Sequence, residues 1–278
     1  MKKIVENYQI LGVIGNPQES RVFLVEDIGS KQKFALKALP MDFFNSEREY
    51  KSFSQEFERV VQFRSPNIVK YHKLIGKYTE SFLLTEYVEG INLRGYVENQ
   101  IHPFPDLLHV ALQIMKGIQY LHVSKILHQN LKASNILLDD NLNVKLSDFY
   151  FSKLFNRWRK RRGYTSVESV RYFSPEQVKE KRVDERSDIY SLGVVLFYLF
   201  SRVMPIRGTS VAEIMHKHLR MNVVEVPSTI NPQVPADISR VVMKMLEKKP
   251  RKRFSSLSEL ILDLTRMQQR QQQKQANI

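Results

Sequence analysis

Between Ile126 and Tyr150 the chain places Lys132, Asn135 and Asp148 where magnesium–nucleotide chemistry would want a cation, an amide and a carboxylate. Oxygen donors from Asn135 and Asp148 are hard ligands of the kind Mg²⁺ takes. The Lys132 ammonium could neutralise a transferring phosphoryl group. Two short apolar runs bracket these residues and read as strands that would hold them in place.

Composition limits what else the chain can be. It has 278 residues, 42% of them apolar, enough for one large domain or two lobes sharing a cleft. There are no cysteines, so disulfides and thiolate metal sites are excluded, and the seven histidines form no close ligand pattern. Met1-Lys2-Lys3 is not followed by an apolar core of signal-peptide length. The longest apolar run, Ile189 to Phe200, is interrupted by Ser191 and Gly193 and falls short of the ~20 residues of a membrane span. A cytoplasmic or nuclear protein is the expectation. The net charge of +14 favours acidic partners. No aromatic-interleaved motif accompanies it, so no specific nucleic acid is expected.

The elements that would position the site follow from periodicity. Tyr8–Ile14, Arg21–Glu26 and Lys33–Leu39 are short, β-branched and apolar, with a turn at Gly29-Ser30, and predict three antiparallel strands. Asn45–Phe63 predicts a helix, with Phe53, Phe57, Val60 and Val61 on one face and Pro66 ending it. Ile68–Ile75 and Ser81–Val88 complete an expected five-stranded sheet with one helix. Beyond Glu89-Gly90 the pattern is helical. Asp106 is expected to cap a helix carrying Leu107, Leu108, Ala111, Ile114, Met115, Ile118 and Leu121. Ser187–Phe200 is apolar on nearly all sides, as an enclosed helix is. Further helices are expected at Val211–Leu219, Ala236–Leu246 and Leu257–Met267, with a glutamine-rich tail over 268–278. The order predicts an α+β protein of two lobes, residues 1–88 and 89–267.

The central stretch resembles the catalytic loop and metal-binding turn of the protein-kinase family, His-Arg-Asp-Leu-Lys-x-x-Asn and Asp-Phe-Gly. Here they read His128-Gln129-Asn130-Leu131-Lys132-Ala133-Ser134-Asn135 and Asp148-Phe149-Tyr150. The resemblance extends over about residues 8–264. It implies the bilobal kinase fold, with ATP and Mg²⁺ as cofactors and Asn135 and Asp148 on the metal. It also implies that Asn130 stands where the family has its catalytic aspartate, and an amide has no basic oxygen to accept the substrate proton. Gln129 replaces an arginine that in many kinases pairs with an activation-loop phosphate, which weakens any such role for Thr165 or Ser166.

On the nucleotide side, Gly15-Asn16-Pro17-Gln18-Glu19-Ser20-Arg21-Val22 is similar to the family's glycine-rich loop, keeping Gly15 and Val22 but replacing two glycines by Pro17 and Ser20. As an ordinary hairpin it needs no ligand. Phe34-Ala35-Leu36-Lys37 resembles the phosphate-lysine strand, with Glu56 as the implied partner of Lys37 and Glu58 or Glu49 as fallbacks. Leu83–Val88 resembles the hinge: Glu86 and Val88 would bind adenine through the backbone, Thr85 would guard the back pocket, and Val22, Ala35 and Leu137 would form apolar walls. Val60, Tyr71, His128 and Phe149 match the family's hydrophobic spine. Asp188 would hold the catalytic loop, and Arg253 would pair with Glu176 of Ser174-Pro175-Glu176. Lys132 with Ser169 points to the serine/threonine branch. The resemblance with these substitutions implies a pseudokinase that keeps a Mg-ATP site and works as a scaffold or allosteric regulator, or else a weakly active serine/threonine kinase acting on protein hydroxyls. Arg157, Arg159, Lys160, Arg161 and Arg162 beside Trp158 form a cationic run, readable as a solvated loop or as a dock for an acidic protein.

Overall fold

Alternating apolar residues near the N-terminus assemble an antiparallel sheet of six strands in the spatial order β1-β2-β3-β4-β6-β5. The computed structural model describes residues 4–15, 21–149, 154, 157, 158, 161, 165–221 and 225–276, with side chains as far as 269. The strands are β1 (Ile4–Val5), β2 (Tyr8–Val13), β3 (Val22–Asp27), β4 (Lys33–Ala38), β5 (Tyr71–Lys77) and β6 (Glu80–Glu86). Five strands are expected from the sequence; the sixth is β1, which pairs Ile4 with Gln9 and Val5 with Tyr8. Two residues are too few for an alternation signal.

Register decides what each face of this sheet does. Phe23 pairs with Leu36 and Val25 with Phe34, and these four are buried together with Ile75 and Leu84. The intervening pairs, Val22 with Lys37 and Leu24 with Ala35, must point to the opposite face. Helix α1 (Glu47–Val61) is capped by Ser46, whose side chain accepts from the Glu49 amide. It buries Phe53, Phe57 and Val60, and the Phe57 ring meets the Tyr71 ring edge-on at 6.0 Å. Val61, expected on the same stripe, is only half-buried.

The chain divides into two compact units, Met1–Glu89 and Gly90–Ile278. The second is mainly helical. A small sheet joins β7 (Ile91–Asn92), β8 (Ile136–Leu138) and β9 (Val144–Leu146). Helix α2 (Leu93–Asn99), too short to stand out in the sequence, is capped by Asn92. Helix α3 (Phe104–Val123) begins three residues earlier than expected. Pro103 is its N-cap, and Asp106 lies within the first turn, where its charge suits the helix dipole without capping it. Single-turn helices α4 (Val167–Val170) and α5 (Pro175–Val178) precede α6 (Glu185–Ser201). Every residue of α6 from Ser187 to Ser201 is buried, as the all-round apolar pattern requires. The bare Cα of Gly193 permits this, because a Cβ there would lie 2.7 Å from the Met245 Cβ. Met245 ends α9 (Ala236–Met245), which follows α7 (Val211–Arg220) and α8 (Pro227–Ile230); α10 (Ser258–Ala276) closes the unit. Among the described residues, no helix is long and apolar enough to cross a membrane.

Candidate active site

The loop from His128 to Asn135 is suspended from one buried carboxylate. Asp188, in the first turn of α6, accepts from the His128 amide at 2.7 Å, the Gln129 amide at 2.8 Å and His122 Nε2 at 3.0 Å. A carboxylate only accepts, so His122 carries its proton on Nε2. These bonds hold Gln129 in left-handed backbone, φ 56°. The Gln129 carbonyl in turn accepts from Gln177 Nε2 at 3.2 Å. His128 is fully buried, its ring 6.2 Å from that of Phe149, and burial pulls its pKa below the ordinary histidine value.

Four of the sequence-identified residues converge here. Asn130 donates Nδ2 to the Asp148 carbonyl at 3.4 Å, and its own carbonyl accepts from Asn135 Nδ2 at 2.8 Å. Lys132 is buried, and its carbonyl accepts from the Asn135 amide at 3.0 Å. Ser147, just before Asp148, closes the circuit by donating its amide at 2.9 Å and its hydroxyl at 3.1 Å to the Asn135 carbonyl. Asp148 adopts φ 58°, a left-handed conformation that a non-glycine residue holds only when its surroundings enforce it. Because the Asn135 amide nitrogen is tied to Asn130, its side-chain oxygen is the atom left for a cation. Amide and carboxylate oxygens are hard donors of the kind Mg²⁺ takes. Leu137 sits on β8, half-buried, opposite Asn92 and Lys145.

The sheet unit carries the other predicted residues. Val22, Ala35 and Lys37 lie on the face opposite the aromatic core, and Ala35 pairs in register with Thr85 and Lys37 with Leu83. Thr85 Oγ1 lies 3.4 Å from the Ala35 carbonyl. Glu86 closes β6 by a reciprocal clasp: its amide donates to the Lys70 carbonyl at 2.9 Å, and its carboxylate accepts from the Lys70 amide at 2.7 Å. Val88 is half-buried just beyond it. Glu56 is on α1 and exposed, as is Glu58, whereas Glu49 is half-buried and accepts from the Asn45 amide at 2.7 Å at the helix start. Gly15 follows the Ile14-to-Val22 bond that closes the β2–β3 ends. Pro17, Ser20, Tyr150, Arg159, Lys160 and Arg162 lie outside the described residues.

The buried pair expected between Glu176 and Arg253 is present, at 2.6 and 3.0 Å, with the Ser187 hydroxyl donating to the same carboxylate at 2.7 Å. Burial alone would raise the Glu176 pKa; the Arg253 hydrogen bonds and charge outweigh it and hold the carboxyl below its ordinary value. His122, Ser147 and Gln177 were not singled out in the sequence. Gln177 had a legible signal, the Ser-x-x-Gln capping box that it forms with Ser174. The other two are reached only through tertiary hydrogen bonds.

Residues 8–265 match the family model described as protein kinase domain. The chain is 33% identical over 267 residues to serine/threonine-protein kinase PrkC of Bacillus subtilis, covering 95% of this chain and 41% of that protein. It is 27% identical over 269 residues to serine/threonine-protein kinase PknB of Mycobacterium tuberculosis, covering 94% and 43%. The chain therefore spans about two fifths of the length of these curated relatives. The crystal structure of the Mycobacterium tuberculosis PknI kinase domain shares the fold with a TM-score of 0.71 at 22% identity, over 95% of this chain and 97% of that one. By the family model and the α+β architecture alike, this chain belongs to the protein kinase domain family.

Proposed function

We propose that this kinase domain is a pseudokinase: it binds Mg-ATP and acts through protein contacts as a scaffold or allosteric regulator, with phosphoryl transfer suppressed. One observation carries the reading. The side chain at the position of the general base is the Asn130 amide, which donates to the Asp148 carbonyl rather than offering a basic oxygen. General acid–base assistance contributes about 10²–10⁴-fold in rate, roughly 3–5 kcal/mol of barrier. In this reading Asn135 and Asp148 hold Mg²⁺, Lys132 faces the terminal phosphate, and Lys37 with Glu56 meets the inner phosphates. Glu86 and Val88 contact adenine through their backbone, Thr85 guards the back pocket, and Gly15, Val22, Ala35 and Leu137 enclose the nucleotide. The metal would supply charge neutralisation of the phosphates. The basic segment 157–162 is the proposed dock for an acidic protein.

A weakly active serine/threonine kinase is the second reading, favoured by the serine/threonine-protein kinases among the relatives and by the retention of Lys132, Asn135 and Asp148. A paired assay separates the two. Thermal shift with ATP and Mg²⁺ should show stabilisation in the natural protein, and none at millimolar nucleotide removes the binding claim. Transfer from labelled ATP should be near background in the natural protein and rise at least about a hundredfold in Asn130→Asp. Stoichiometric transfer by the natural protein that vanishes in Asp148→Asn would establish the kinase reading instead.

A further inference from the structure

Beside the Glu176–Arg253 pair stands a second cation. Lys248 follows α9 and is half-buried, and among the described residues no carboxylate lies within ion-pair reach of it. The Glu176 carboxylate is already taken by Arg253 and by the Ser187 hydroxyl. Lys248 instead donates Nζ to the Tyr190 hydroxyl oxygen at 3.1 Å. Its Nζ lies 5.4 Å from the centroid of the Tyr190 ring, and the Arg253 guanidinium carbon lies 4.8 Å from the same centroid. Two cations thus share one aromatic ring, and only Arg253 has a carboxylate. Arg253 Nη2 also donates to the Lys248 carbonyl at 3.2 Å, which fixes the backbone from which the lysine side chain springs.

The hydrogen-bond chain continues inward. The Tyr190 hydroxyl lies 3.0 Å from Nδ1 of the fully buried His218. A hydroxyl has one proton to donate. Because Tyr190 accepts from Lys248, that proton goes to His218 Nδ1, and Tyr190 has none to give to a lone pair on Lys248. The titratable and charged groups gathered here are Tyr190 on α6, His218 on α7, Glu176 on α5, and Arg253 and Glu247 on the turn of Lys248 itself. Burial, then the Arg253 charge, pull the Lys248 pKa down to about 8. A lysine desolvated beside another cation is an activated nucleophile. The same turn also selects the reagent. Lys249, Arg251 and Lys252 are exposed on it, so an anionic reagent is concentrated there and a neutral one is not.

We infer that Lys248 is a modification site whose amine takes an acyl group from a small acyl phosphate. The ammonium first gives a proton to bulk water. The Nζ lone pair then attacks the acyl carbonyl carbon and an N–C bond forms. The bond from that carbon to the phosphoryl oxygen breaks, and phosphate leaves with the proton that the nitrogen sheds. The product amide is uncharged, which removes the like-charge neighbour of Arg253. The inference stands apart from the pseudokinase reading, because its test contains no ATP. The full chain is incubated with acetyl phosphate and its lysines are followed by peptide mass mapping. Against an ordinary lysine of pKa about 10.4, the amine fraction at about pH 7.5 is larger by roughly a hundredfold or more. A weaker base is also a weaker nucleophile, as with thiols, so Lys248 should react about tenfold faster than Lys249 or Lys252. Its rate should level off above about pH 9. Lys249→Gln with Arg251→Gln and Lys252→Gln removes three exposed charges. That variant should slow acetylation of Lys248 by acetyl phosphate at least about threefold, and leave its rate with the neutral N-hydroxysuccinimidyl acetate within about twofold. Equal rates at the three lysines, a Lys248 rate that climbs undiminished to about pH 10, or equal slowing with both reagents would overturn the assignment.

Discussion

Replacing Asp188 by alanine tests whether the catalytic loop is held by one carboxylate. The side chain is 1% exposed and accepts three hydrogen bonds, from the His128 amide, the Gln129 amide and His122 Nε2. Hydrogen bonds to a charged group contribute about 1.5–3 kcal/mol each. Some of the orphaned donors will recover water in the space that alanine leaves, so the net loss is set at about 4 kcal/mol, near the lower bound for three. For a unit of roughly 190 residues the unfolding entropy is about 0.4 kcal/mol per kelvin, so the melting midpoint should fall by about 10 °C. The local effect should exceed the global one. Gln129 sits at φ 56° because its own amide and that of His128 are tied down, so these two amides should lose hydrogen-exchange protection well beyond the amides of α6. Differential scanning fluorimetry gives the midpoint, and mass-resolved exchange gives the protection. Asp263→Ala, which removes an exposed ion pair to Arg266 at 3.6 Å, is the control and should move the midpoint by about 1 °C. A midpoint change as small as the control's, or unchanged protection at 128 and 129, would refute the suspension argument.

Three further outcomes are expected. His218 is buried with Nδ1 3.0 Å from the Tyr190 hydroxyl, and burial, then the Lys248 charge, hold its pKa down to about 4. Its contribution to stability is therefore complete above about pH 6.5 and is lost as pH falls toward 4, about 3 kcal/mol in all. Urea unfolding at pH 7 and 4.5 should show a smaller loss in His218→Gln, and identical losses would contradict the assignment. Arg253→Met strands the Glu176 carboxylate and should destabilise by about 3–5 kcal/mol. Adding Glu176→Gln should restore part of that, and strict additivity in the double-variant cycle would show that the pair is not coupled. Gly90 holds φ 150°, and a Cβ there would lie 2.0 Å from the Leu138 carbonyl. Gly90→Ala should therefore cost at least about 1–3 kcal/mol by thermal melt, and a neutral result would show that the β7–β8 junction is more pliant than its geometry indicates.

The sheet strands, α1, α3 and α6 were legible because each buries one periodic apolar set. Strands β1 and β7 and the single-turn helices α4, α5 and α8 were not, because two to four residues carry no period. The candidate site shows the same division. Asn130, Lys132, Asn135 and Asp148 could be found from residue type and spacing, as could Glu176 with Arg253.

Chemical identity is thus what the sequence determined by itself: an amide rather than a carboxylate at 130, hard oxygens at 135 and 148, and an invitation to acidic partners in the net charge. Tertiary structure alone decided how those groups are held. It ties the Asn130 amide to the Asp148 carbonyl and collects three donors on Asp188. The physical reason is that hydrogen bonding and charge pairing depend on separations of about 3 Å between groups far apart in the chain, and no local pattern encodes such separations.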